Sequence, residues 1–111
     1  MPRFTYVVLS RCTPGEEAAF EDWYTDRHMA DVCAIEGVIE ARLSRICLQK
    51  VYDLDAPEWG YITQYELEAG DPQDVIDAIL AVSGSDAMPL HPALDKTGMV
   101  QAIGEPIGSH P

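Results

Sequence analysis

The segment Thr13–Val38, TPGEEAAFEDWYTDRHMADVCAIEGV, decides how the rest of the chain folds. Thr13-Pro14-Gly15-Glu16 carries the chemistry of a helix start. The Thr13 hydroxyl can accept from the amide of Glu16, the Glu16 side chain can reach back to Thr13, and Pro14 suits the first helical position. Gly37 suits the left-handed residue that closes a helix. The expected helix therefore begins near Pro14 and ends before Gly37. On a wheel of about 100° per residue, Phe20, Trp23, Tyr24, Ala30, Ala34 and Ile35 share one apolar arc, with Glu21, Asp22, Thr25 and Asp26 toward the other side. Arg27, His28 and Asp31 project into or beside that arc, His28 one turn after Tyr24 and Asp31 one turn after Arg27. Polar groups near a buried face need partners or a purpose.

Working outward, Phe4–Arg11 on the N-terminal side alternates Phe4, Tyr6 and Val8 with Thr5, Val7 and Leu9, so both faces are largely apolar. Such a strand is covered on both sides. One face meets the helices; in a small one-sheet domain the other calls for a second subunit. On the C-terminal side, Val38–Leu48 is an expected strand with Val38, Glu40, Arg42, Ser44 and Ile46 on one face. Gln49–Glu58 is an expected loop, and Trp59–Leu67 a third strand with Trp59, Tyr61, Thr63, Tyr65 and Leu67 on one face.

Asp71-Pro72-Gln73-Asp74 repeats the helix-start chemistry, and Val75, Ile76, Ile79, Leu80 and Ser83 recur at a helical period before Ser83-Gly84-Ser85 ends the element. Asp86–Lys96 is an expected ordered loop in which Pro89 and Pro92 restrict the backbone around His91. Met99–Glu105 supplies a last strand and Pro106–Pro111 a tail. The order is β-α-β-β-α-β. Right-handed crossovers then put both helices on one face of a four-stranded antiparallel sheet, a ferredoxin-like α+β protomer.

The run Pro14-Gly15-Glu16 with Phe20, then Trp23-Tyr24 with His28, then Gly37-Val38 and Arg42, resembles the first helix and second strand of EthD-like proteins of the dimeric α+β barrel superfamily. The likeness covers roughly the first half of the chain in residues and the second half in element order. It implies a homodimer formed through the sheet faces and a pocket between sheet and helices. It does not imply one activity, since relatives include cofactor-independent monooxygenases, polyketide cyclases, lactone isomerases, haem-handling enzymes and proteins with no known reaction.

At 111 residues the chain is expected to be one domain, residues 1–111. Its 19 acidic residues against 7 basic ones give a net charge of −12, which argues against a nucleic-acid backbone or an anionic membrane as partner. A cytoplasmic protein is expected: no apolar run approaches a membrane span, and the start MPRFTYVVLSRC lacks a signal-peptide cleavage region. Cys12, Cys33 and Cys47 are widely spaced and suggest neither a disulfide framework nor a zinc site. No metal is expected, because no closely spaced ligand pattern occurs. No cofactor is expected either, because no phosphate-cradling glycine loop does.

His28 is the leading candidate for proton transfer: its ordinary pKa lies near working pH, and Asp31 can orient one ring nitrogen while the other faces a pocket. Tyr24 can add a hydroxyl donor toward a carbonyl or phenolate oxygen. The competing explanation is a core-edge histidine bonded to a strand, with Asp31 paired to Arg27. The match to the EthD-like histidine favours the pocket role. Trp23 could stack on a flat ligand or simply be core; Arg42 could be a pocket cation or a surface arginine. Tyr6, Tyr61 and Tyr65 are placed to line the cavity from the sheet, and His91 could sit over its mouth. The resulting expectation is a cofactor-independent acid/base enzyme, an isomerase, cyclase, dehydratase or lyase, acting on a small aromatic or cyclic oxygenated metabolite. A non-catalytic ligand-binding or accessory protein and a cofactor-free monooxygenase are the alternatives.

Overall fold

Apolar residues at a period of two build four strands, and helical repeats fill the crossovers between them. In the computed structural model, which describes residues 1–111, the order is β1 (Arg3–Cys12), α1 (Glu17–Trp23), a π-helical turn (Tyr24–His28), α2 (Met29–Cys33), β2 (Val38–Arg45), β3 (Tyr61–Glu68), α3 (Pro72–Val82) and β4 (Leu94–Gly104). The four strands form one sheet in the order β2-β3-β1-β4, every neighbouring pair antiparallel. This is the expected ferredoxin-like α+β arrangement. No helix is long and apolar enough to cross a membrane.

The main core lies between helices and sheet. Tyr6 and Val8 of β1 and Tyr65 and Leu67 of β3 are buried against Val32, Val75 and Ile79. The alternation expected for β3 holds: Tyr61, Thr63, Tyr65 and Leu67 are all buried. On the opposite face Val7 and Leu9 pair with Gln64 and Ile62 on one side and with Ala102 and Val100 on the other. No helix covers that apolar strip.

The first helical run stops before Gly37 as expected, ending at Cys33 with Ala34 as its cap, and Gly37, at φ 97°, serves the turn into β2 in which Val38 N donates to Ile35 O at 3.1 Å. A Cβ on Gly37 would lie 2.8 Å from Val75 Cγ2 and 3.2 Å from Glu68 O, so a side chain would push α3 from the sheet. Asp71 also caps as expected, its side chain accepting from Gln73 N at 2.9 Å with Pro72 at the first helical position.

The first helix departs from expectation at its start and middle. Gly15 has φ 85°, which a helix cannot contain, so Thr13–Gly15 is a turn and the helix begins at Glu17. Thr13 does not cap it. Its hydroxyl donates to Pro92 O at 3.3 Å and its amide to Ala93 O at 2.8 Å, pinning the loop before β4. In the middle, Met29 N donates to Tyr24 O, an i→i+5 bond that adds one residue to the turn and advances the helical phase. Ala30 and Ala34, expected on the apolar arc, are therefore exposed, and Val32 and Cys33 turn inward.

Strand ends shift as well. β3 starts at Tyr61 rather than Trp59, because the loop claims Trp59: its indole N–H donates to Gly98 O at 2.8 Å and its amide to Gln49 Oε1 at 3.0 Å. β2 stops at Arg45, opposite Tyr61, where its partner begins. β4 starts at Leu94 instead of Met99, since Cys12 and Arg11 extend β1 to pair with Leu94 and Asp95.

Candidate functional site

Between the π turn, α3 and the sheet lies a cavity of about 150 Å³ with a mostly apolar lining. Its walls place four of the expected residues together: Tyr6 from β1, Tyr65 from β3, and Tyr24 and His28 from the π turn. The π turn is the local reason that both of its residues contribute. Short π segments recur at functional sites because they re-aim side chains that a regular helix would stack.

The hydroxyls of this wall form a chain. Thr63 Oγ1 donates to Tyr24 Oη at 2.7 Å, and Tyr24 and Tyr65 share a hydroxyl bond of 3.2 Å. Three hydroxyls carry three protons, and the two bonds use two of them. Whichever way the Tyr24–Tyr65 bond points, one phenol proton is left to donate elsewhere. Burial pushes the Tyr24 and Tyr65 phenols upward, and it pushes Tyr6 up to about 12 with a further contribution from Tyr24. The phenols are therefore donors at neutral pH, not bases.

His28 is held by rings rather than by a carboxylate. Trp23 stacks on it at 4.6 Å between centroids and Tyr24 meets it edge-on at 4.9 Å. Its Nδ1 is buried with no hydrogen-bond partner. Burial lowers the imidazole pKa below 6.5, opposed by the charge of Asp31. A neutral ring with an unpaired nitrogen results. Across the whole chain only two buried side-chain polar atoms lack a partner, His28 Nδ1 and Ser10 Oγ, and both residues line this one cavity. Native proteins pair such atoms, so an orphan at a cavity wall is an invitation to a ligand.

Other expected site residues lie elsewhere. Asp31 does not orient His28; it accepts from Arg27 Nε at 2.9 Å, and Arg27 also donates to Asp86 O at 3.0 Å, so this pair anchors a loop. Arg42 is on the opposite face of the sheet, because β2 carries a bulge between Val38 and Glu40 that inverts the expected alternation. It is 70% exposed and lies 4.0 Å from Glu40. Tyr61 does not line the cavity; it packs with Phe20 on the far side of Tyr24, and its hydroxyl donates to Glu21 Oε2 at 2.7 Å. Trp23 is behind the cavity wall, its indole N–H donating to Pro89 O at 3.3 Å. His91 does not line the cavity; it accepts from Ala93 N at 2.9 Å through Nδ1 and lies near Trp23.

Sequence reading missed Ser10, Lys96, Gln101 and Met88 in the lining. For Ser10 a signal existed, a lone hydroxyl continuing the inward series Tyr6, Val8. Lys96 had none, since its position follows from a bulge in β4.

No protein-family model matches this chain, and comparison with curated protein sequences finds no match. Solved structures do share its fold over nearly its whole length. A DABB family protein with a ferredoxin-like fold from Mesorhizobium loti matches with TM-score 0.63 at 13% identity, covering 97% of this chain and 100% of the other. An EthD-like protein from Ralstonia eutropha matches with TM-score 0.58 at 13% identity, covering 95% and 92%. An ethyl tert-butyl ether D (EthD) family protein from Bacillus halodurans C-125 matches with TM-score 0.51 at 12% identity, covering 96% and 100%. The EthD-like resemblance thus holds at the level of fold, and identities this low carry it no further.

Proposed function

We propose that this chain binds a small, single-ring oxygenated molecule in the His28 cavity and moves a proton on it without help from a redox group. The observation that carries this reading is the buried, unpartnered Nδ1 of His28 beside a hydroxyl chain with one proton to spare. A cavity of about 150 Å³ is the size that accepts one benzene-like ring in an apolar protein interior.

In this mechanism neutral His28 takes a proton from an activated carbon or hydroxyl of the bound ring, and the negative charge gathers on a ring oxygen. The spare phenol proton of the Tyr24–Tyr65 pair donates to that oxygen. The imidazolium then returns its proton to a different atom of the same molecule, which completes an isomerisation, or to a departing hydroxyl whose C–O bond breaks, which completes a dehydration. Trp23 and Tyr24 keep the ring plane fixed throughout. Asp31 contributes only a charge.

The open apolar strip of Val7, Leu9, Ile62 and Val100 supports a homodimer through the sheets. Leu9→Glu is expected to convert the dimer to a monomer in analytical ultracentrifugation, and a wild-type monomer would contradict that part.

A thermal-shift panel of phenols, lactones and cyclic ketones tests binding, since a ligand of the folded state raises apparent stability. Each hit is then followed by NMR for solvent deuterium exchange into the ligand. Exchange in wild type that disappears in His28→Gln, with binding retained, is the expected result. Binding without exchange in wild type would leave a plain binding protein, and no hit at all would remove the cavity from consideration.

A further inference from the structure

The cavity has a second polar end that the proton transfer above does not use. β1 and β4 pair at Leu9↔Val100 and again at Arg11↔Asp95, so the single residue Ser10 faces the four residues Lys96 to Met99. A bulge of this kind re-aims the side chains of the longer strand. Here Leu94, Lys96 and Met99 all line the cavity alongside Ser10. Ser10 is only 1% exposed and its carbonyl accepts from Gly60 N at 2.9 Å, yet its Oγ has no partner. A buried hydroxyl in that state costs stability unless something else completes it.

The charge pattern says what completes it. The chain has 19 acidic residues, but none lines this cavity, and its one cationic side chain there is Lys96. Lysine has donors and no acceptor, and the serine hydroxyl has a proton to give. A net charge of −12 repels anions from the molecule as a whole, so a wall cleared of carboxylates and fitted with a lysine is a local exception.

We propose that Ser10 and Lys96 form a carboxylate-reading end of the cavity, so that the ligand is a single-ring aromatic acid whose carboxylate accepts from Ser10 Oγ and Lys96 Nζ. The ring lies on the apolar lining, and a second oxygen substituent meets His28 and the Tyr24–Tyr65 hydroxyls. This narrows the ligand class of the preceding reading and rests on it.

Calorimetric titration with phenol, 4-hydroxybenzoate and its neutral amide, 4-hydroxybenzamide, tests the assignment. The acid is expected to bind at least about tenfold more tightly than the amide, Lys96→Met to weaken the acid about tenfold while moving the uncharged amide much less, and Ser10→Ala to weaken both, since either carbonyl oxygen accepts from the hydroxyl. Unliganded Ser10→Ala is expected to melt no lower than wild type, because the substitution removes an unpaired hydroxyl; a protein whose serine had only a structural role would melt lower. Lys96 is exposed, so Lys96→Met reports on binding without risk to folding. Equal affinity for acid and amide, or wild-type affinity for the acid in both variants, would overturn the proposal. Phenol binding with the acid excluded would overturn it alone, whereas failure of all three probes would take the single-ring reading down with it.

Discussion

The two ends of the layer between helices and sheet use the same residue types and are finished differently. At one end Phe20 and Tyr61 stack at 4.4 Å, the Tyr61 hydroxyl donates to Glu21, and Glu21 in turn accepts from Arg45 at 2.6 and 3.1 Å. Every polar atom has its partner there. At the other end Tyr6 stacks on Tyr65 at 5.2 Å and Tyr24 bonds Tyr65, but the His28 and Ser10 atoms are left over. A tyrosine-rich cluster is thus not a site by composition. What separates structure from site is whether the hydrogen-bond inventory closes within the protein.

That contrast can be broken by substitution on either side. The largest stability effect is expected at the closed end: Phe20→Ala removes a fully buried ring and should cost about 3–5 kcal/mol in urea unfolding. Any ligand that still binds should show the same selectivity. At the open end His28→Gln is expected to lower ligand proton exchange by about 10²–10⁴-fold while unfolding at a similar urea concentration. A large stability loss in that variant would class His28 with Phe20. Thr63→Val deletes the donor to Tyr24 and is expected to cost about 1 kcal/mol, measured in the same urea titration.

A smaller effect comes from pH. The folded His28 pKa lies below the 6.5 of the unfolded chain, so the unfolded state takes up the proton first. The stabilisation from keeping this ring neutral is complete above pH 6.5 and declines as pH falls through the folded value. His28→Gln should flatten that part of the stability profile. The smallest change is expected for Glu21→Gln, whose partner Arg45 is 70% exposed and well screened, with a melting temperature close to wild type.

Much of this arrangement was legible in the residues. Period-two alternation placed Tyr6 and Tyr65 on the inner face, and the Asp71-Pro72 start bounded its helix correctly. Three of the errors come from local insertions, one residue long in two of them and three in the other, that sequence periodicity cannot register. The extra residue in the π turn moved Ala30 and Ala34 outward. The bulge at Ile39 sent Arg42 to the wrong face, and the bulge opposite Ser10 brought Lys96 to the cavity unannounced. Thr13 had the right chemistry for a cap, but Gly15 took a left-handed conformation and the hydroxyl went to Pro92 instead. Each insertion is stabilised by tertiary packing, which local sequence does not contain.

Because the chain has only three histidines, an NMR titration of imidazole resonances can follow His28 directly. Titration below pH 6.5 in the free protein, with a shift when a single-ring ligand saturates the cavity, is the result expected of an unpartnered ring at a binding wall. An imidazole that titrates at or above 6.5 and does not respond to any bound ligand would contradict it.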